Sequence, residues 1–252
     1  MKKTALSICL MFVGASFTAQ ADTLLGLYAG AQGWNMQTEG GFSSDGNNAD
    51  FKFDDKANSN IYVAFEHPVP LIPNLKVQRT IMDTNGETTL NSQYSFGDEI
   101  YAQNTDLLTD VQLNTTDFIL YYELFDNDLI SFDLGVNVKQ IDGELLVTEK
   151  DDASNSSRES FSGPVPMVYS RLALGVPFSG FGAFVEGSML SLDDHTLTDY
   201  QAALTYSLME NLALDVTFQL GYRAVELELD DLDGIYSKLE FKGVYAGLEV
   251  HF

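Results

Sequence analysis

Apolar and polar side chains alternate with a period of two along much of this chain. Leu212, Leu214, Val216, Phe218, Leu220 and Tyr222 are separated by Ala213, Asp215, Thr217, Gln219, Gly221 and Arg223. Ile130, Phe132, Leu134, Val136 and Val138 alternate with Ser131, Asp133, Gly135, Asn137 and Lys139. Val244, Ala246, Leu248, Val250 and Phe252 do the same with Gly243, Tyr245, Gly247, Glu249 and His251. Successive side chains of a strand point to opposite faces, so each run predicts a strand with one apolar face.

This reading places ten strands near 23–36, 59–66, 75–83, 111–125, 129–147, 164–178, 181–191, 197–208, 212–227 and 238–252. Their connections alternate between short and long. The short ones are His67–Asn74, Asp126–Asp128, Ser179-Gly180 and Met209–Asn211. The long ones cover 37–58, 84–110, 148–163, 192–196 and 228–237, of which 192–196 is brief.

A soluble sandwich and a membrane barrel both alternate, but with different consequences. In a sandwich the apolar set faces a core; in an outer-membrane barrel it faces lipid and the polar set lines the lumen. Several strands run to or beyond the roughly 9–11 residues of a tilted membrane crossing, against about 5–6 for an average soluble strand. The polar face is rich in Gly, Ala, Ser and Thr, as a narrow lumen requires. Phe65, Phe125, Phe178, Phe181 and Phe252 gather beside the short turns, where an interfacial girdle belongs. The expected fold is all-β: a closed, antiparallel, up-and-down transmembrane β-barrel. The ten placed segments favour ten strands over eight or twelve, and an even number lets the first strand pair with the last and removes both edges.

The N-terminus reads as a targeting segment. Lys2 and Lys3 precede a mostly apolar run from Ala5 to Phe17, and Ala19-Gln20-Ala21 forms an A-x-A cleavage site. The expectation is a signal peptide over residues 1–21 and a barrel domain over 22–252, with the mature chain starting at Asp22. Cys9, the one cysteine, leaves with that segment. The mature chain then offers no disulfide, thiol nucleophile or cysteine metal site. The full chain has 13 Lys and Arg against 37 Asp and Glu, a formal charge of -24. That balance opposes nucleic-acid binding.

Two segments carry a resemblance. The opening Leu24-Leu25-Gly26-Leu27-Tyr28-Ala29-Gly30 and the closing Gly243-Val244-Tyr245-Ala246-Gly247-Leu248-Glu249-Val250-His251-Phe252 resemble Gram-negative outer-membrane barrels. The turn Phe65-Glu66-His67-Pro68-Val69-Pro70-Leu71-Ile72-Pro73-Asn74 adds to this. Within that group the chain looks like a barrel family of marine gammaproteobacteria found beside the GlyGly C-terminal sorting system. The resemblance covers the mature chain. It implies residence in the outer membrane, contact with lipid and lipopolysaccharide, and insertion by the assembly machinery through a terminal strand ending in Phe252. It implies no activity.

Three sets of residues are candidates for chemistry. Asp193-Asp194-His195 lies in an expected outer loop. Omptin proteases pair Asp with His at the rim of a ten-stranded barrel, so Asp194 and His195 define a surface-hydrolase alternative. Adjacent residues on an extended strand point apart, which weighs against it. The acidic loop residues form the second set: Asp45, Asp50, Asp54 and Asp55; Glu149, Asp151 and Asp152; Glu226, Glu228, Asp230, Asp231 and Asp233. Asp231-x-Asp233-Gly234 faintly resembles a calcium loop but lacks the other ligands. A cation-bridging or adhesive surface is the alternative here, and a solvated acidic face is favoured. The third set is the lumen, where the alternation aims Asp133, Lys139, Arg171, Glu186, Asp215, Arg223 and Glu249 inward. Mixed charges in a narrow interior should pair. Ten strands leave little free section, so the lumen is expected to be largely plugged. No cofactor is expected, because phosphate loops, zinc spacings, nucleophile elbows and dinucleotide fingerprints are all missing. The leading function is non-enzymatic: a structural barrel or a narrow small-solute path. The sequence does not specify an oligomeric state.

Overall fold

The structure is a computed structural model that describes residues 25–127, 129–192, 195–211, 214–232 and 234–252. It is all-β. In chain order the strands are β1 (Gly26–Ser43), β2 (Ala49–Asp50), β3 (Lys52–Phe53), β4 (Lys56–Glu66), β5 (Asn74–Thr89), β6 (Tyr94–Phe96), β7 (Glu99–Tyr101), β8 (Asp106–Asp126), β9 (Ile130–Glu149), β10 (Ser156–Gly175), β11 (Phe181–Leu192), β12 (His195–Met209), β13 (Asp215–Leu232) and β14 (Ile235–His251). Ten of these form the barrel wall, in the order β1, β4, β5, β8, β9, β10, β11, β12, β13 and β14. Every neighbouring pair is antiparallel, and β1 pairs with β14, from Tyr28 opposite His251 to Ser43 opposite Tyr236. Leu27 and Phe252 exchange backbone hydrogen bonds at 3.0 and 3.4 Å, so the last residue is tied into the seam. Closure leaves no edge strand. The expected cleavage site and its segment, residues 1–21, lie outside the described residues.

Several strands are longer than the sequence pattern delimited. β8 has 21 residues and β10 has 20, where the pattern gave 111–125 and 164–178; β9, at 20, is close to its expected span of 129–147. Much of what reads as long loop at 37–58, 84–110, 148–163 and 228–237 is strand, with β13 and β14 almost meeting at Leu232 and Ile235. The reason is an inversion of chemistry partway along the wall. On β13, Phe218, Leu220 and Tyr222 face outward and are exposed, while Gln219 and Arg223 face inward and are buried. Further along, Val225 and Leu227 are the buried inward residues and Glu226 and Glu228 lie outside. On β14 the outward residues are Lys238, Glu240 and Lys242, then Val244 and Leu248; the inward ones include Leu239, Phe241 and Tyr245. On β9, outward Leu134, Val136 and Val138 give way to Gln140, Asp142 and Glu144. The parity of the strand is unbroken; only the residue types exchange faces.

The barrel therefore has two storeys. Near the short turns its wall is apolar outside and polar inside. Toward the other end it is polar outside, with an apolar interior that includes Trp34, Met36, Met82, Leu113, Ile141 and Phe241. That interior is a packed core of the ordinary soluble kind. Outside it, Lys242 pairs with Glu39 and Glu240, Lys150 with Glu87, Arg158 with Glu144, and Lys238 with Glu228. At the turn end Phe65, Phe125, Phe178, Phe181 and Phe252 are all exposed.

Candidate functional site

The inward face of the polar storey is the site with the most buried chemistry. The pleat puts Lys76 on β5, Asp117 on β8, Asp133 and Lys139 on β9, Glu186 on β11, Asp199 on β12 and Arg223 on β13 into it, all buried. Lys139 Nζ lies 2.7 Å from Asp117 Oδ1 and 2.9 Å from Asp199 Oδ2. Arg223 reaches the same Asp199 with two nitrogens, Nε to Oδ1 at 2.9 Å and Nη2 to Oδ2 at 2.7 Å. Its Nη2 also donates to Thr80 Oγ1 at 3.2 Å. Lys76 Nζ meets Glu186 Oε1 at 2.6 Å. Arg171 on β10, partly exposed, lies 3.5 Å from Glu186 and 3.7 Å from Asp133. Every cation in this layer has an anionic partner, as interior charges require.

Several of these links cross the lumen. β5 and β11 stand four places apart in a ring of ten, as do β5 and β13. Lys76–Glu186 and Arg223–Thr80 are thus crossbars rather than neighbour contacts. Neutral groups extend the network toward the turn end: Asn60 donates to Gln32 at 2.7 Å, Gln32 to Gln219 at 2.9 Å and Gln219 to Tyr62 at 3.0 Å. The Tyr62 hydroxyl donates to Glu249 at 2.6 Å. Its ring lies over Gly30, where a Cβ would sit 2.2 Å from Tyr62 Cζ, so only glycine admits it there.

Arg223 also lies over the Trp34 ring, 5.4 Å from its centroid, where the polar storey meets the apolar one. Above Trp34 the far end carries an aromatic cap. Phe42 stacks on Phe51 at 5.2 Å and meets Phe96 edge-on at 5.1 Å; Tyr94 stacks near Tyr101 at 6.0 Å. The hairpin of β6 and β7 that supplies three of these rings is pinned in place. Tyr94 Oη donates to the Phe42 carbonyl at 3.0 Å and Tyr101 Oη to the Val147 carbonyl at 3.3 Å. Burial pushes the Tyr101 hydroxyl up to about 12 and that of Tyr94 further, so both stay neutral donors.

The remaining candidates fall elsewhere. Asp215 is at the turn-end rim, 38% exposed, and its carboxylate lies 3.6 Å from His251. The His251 ring stacks on Tyr28 at 4.1 Å. His195 opens β12 opposite Leu192, and its Nδ1 accepts the Asp230 backbone N–H at 3.3 Å. Its proposed partner Asp194 lies outside the described residues, as do Asp193 and Asp233. Asp231 sits at the β13–β14 turn with a positive φ of 56°. Glu226 and Glu228, read as loop acids, are on the outer face of β13. Among the described residues no group of three or more His, Cys, Asp or Glu side chains is placed to hold a metal ion.

Lys76, Asp117 and Asp199 are charged lumen residues the sequence reading did not single out. The signal was present for Lys76, which lies between outward Leu75 and Val77; Asp117 and Asp199 have an apolar neighbour on one side only, Phe118 and Tyr200, with Thr116 and Thr198 on the other.

The fold is that of a closed, ten-stranded, antiparallel up-and-down β-barrel. No protein-family model matches the chain, and no curated protein matches it. Among solved structures it is similar to the transport unit of the autotransporter AIDA-I from Escherichia coli, at 6% identity over 95% of this chain and 93% of that one, with a TM-score of 0.43. It is similar also to a Pseudomonas aeruginosa FadL homologue, at 9% identity over 92% and 90% of the two chains, TM-score 0.35. The Pseudomonas putida toluene transporter TodX follows, at 7% identity over 90% and 89%, TM-score 0.30.

Proposed function

We propose that this chain is an integral outer-membrane barrel of a Gram-negative cell, non-enzymatic, with a lumen closed to bulk solutes. The observation that carries this reading is the exposed apolar belt concentrated in the turn-end storey. It runs from Ile130 to Val138 on β9 and from Val244 to Phe252 on β14, nine residues each. That height suits a tilted crossing of the hydrocarbon. A soluble barrel would gain nothing by displaying Leu134, Val136, Leu204, Leu220 and Leu248 to water. The aromatic residues at the lower rim suit the interface, and the polar upper wall suits the sugar and phosphate layer outside.

Two features support closure. Ion pairs span the lower lumen, and an aromatic cap fills the upper one. The role favoured is structural. Its partners are then lipid around the belt, lipopolysaccharide around the upper wall, and the assembly machinery acting on the strand that ends in Phe252. The test is single-channel recording of purified protein in planar bilayers. Rare, small steps or none are expected; large, stable, porin-sized steps would overturn the closed-lumen reading. Recovery of the mature protein from soluble periplasm would overturn the membrane reading separately.

A further inference from the structure

Inside the charged layer is a small, partly open cavity of about 20 Å³, room for one water-sized particle. Four buried oxygens on its lining residues have no hydrogen-bond partner: Gln78 Oε1, Asp117 Oδ2, Asn137 Oδ1 and Gln201 Oε1. Two of the amides are oriented by their nitrogens. Asn137 Nδ2 donates to Asp117 Oδ1 at 2.6 Å and to Ser188 Oγ at 3.1 Å. Gln201 Nε2 donates to Glu186 Oε1 at 3.3 Å. Turning either amide over would set its oxygen against a carboxylate or remove a bond, so the oxygens are left as acceptors. Asp117 is likewise divided, with Oδ1 on Lys139 and Oδ2 unpaired.

We propose that this cavity binds a single monovalent metal cation of the sodium or potassium class. The argument is one of complementarity. An unpaired buried acceptor costs about 1–3 kcal/mol, and a water has two hydrogens for four such oxygens. A cation takes all four together, as carbonyl oxygens replace the hydration shell of potassium in channel filters. Charge counts against a divalent ion. Lys76, Lys139, Arg171 and Arg223 already balance Asp117, Asp133, Glu186 and Asp199. Only one carboxylate oxygen among the four is unpaired, whereas divalent sites gather several carboxylates. The ion would tie β5, β8, β9 and β12 at one point and serve as a structural rivet of the lumen.

The experiment uses the mature barrel folded in detergent. Its unfolding midpoint is measured in sodium, potassium and choline chloride at equal ionic strength. One of the metal ions should raise the midpoint above choline, saturably, by about 2–4 °C near saturation. Gln78→Met keeps the volume and removes one oxygen; it should lose most of that rise while still giving the compact, SDS-resistant gel band of a folded barrel. Crystals soaked in thallium(I) should show one anomalous peak between Asp117, Asn137 and Gln201. Equal midpoints in all three salts, or a water at that position with no thallium peak, overturn the proposal. So does stabilisation by calcium or magnesium alone. If Gln78→Met does not fold, the wild-type salt series and the thallium map decide the matter by themselves.

Discussion

Lys76 and Glu186 meet at 2.6 Å from strands on opposite sides of the barrel, each buried by the wall that carries it. A contact of this kind fixes the width of the lumen as well as its charge. Removing Lys76 leaves the buried Glu186 with only Arg171 at 3.5 Å and Gln201 at 3.3 Å, at a cost approaching the roughly 3–5 kcal/mol of a broken buried pair. Lys76→Met should therefore destabilise the folded barrel strongly. The double variant with Glu186→Gln should recover much of the loss. Urea unfolding in lipid vesicles gives both values; equal losses in the single and double variants would mean the pair is not coupled.

The two storeys make opposite demands on one strand. Leu220→Arg on β13 places a charge in the apolar belt and should cost about 2–4 kcal/mol near the bilayer midplane. Leu227→Arg should be as harmful for another reason, because it buries a charge in the upper core. Glu226→Arg, one position away, should change stability by about 0.5 kcal/mol or less, as an exposed surface change does. The three variants in one vesicle assay locate the boundary between belt and upper wall. A severe effect at Glu226 would move that boundary outward.

Conductance should depend on the cap more than on the lower charges alone. Arg171→Ala with Arg223→Ala removes two long side chains and leaves Asp117, Asp133, Glu186 and Asp199 in excess, which favours cations. The Phe42, Tyr94 and Phe96 rings still cover the upper end, so current should stay small. Removing residues 91–104 and truncating Trp34, Met36, Phe42 and Phe241 to Ala beneath them, with those two substitutions, should give clear, cation-selective steps in asymmetric KCl. A large current from the arginine variant alone would show that the cap does not obstruct the path.

Surface hydrolysis is expected to be independent of His195. Its Nδ1 already holds the Asp230 backbone. His195→Ala should leave peptidase and lipase activity of whole cells unchanged against a barrel-deleted background. A reproducible loss would bring back the Asp194–His195 alternative.

The strand count and the closure were legible because the belt repeats the same simple rule ten times. The upper ends of several strands, β1, β5 and β10 among them, were not, and β13 shows the difficulty. Phe218, Leu220 and Tyr222 set an outward apolar parity that Val225, Leu227 and Leu229 then break. Read as one amphipathic strand, the break looks like the end of the strand, and the acidic residues between look like loop. It is instead the place where the outer face of the wall changes from apolar to polar. The charged layer was half legible. Parity points Lys139 and Arg223 inward, and it would have done the same for Lys76. Their partners depend on which strands face each other across a closed ring, and on the stagger of the wall, which no local window contains.

The polar upper wall also fixes how far this molecule reaches. On β9 it runs from Gln140 to Glu149. At about 3.4 Å per residue and a tilt of roughly 40°, the tips stand about 23 Å above its lower edge. Short connections such as 150–155 are thus raised on a rigid stalk rather than on floppy chain. In the outer-membrane setting proposed above, an antibody or a phage fibre approaching the cell would meet these tips as fixed, elevated landmarks, well clear of the lipid headgroups.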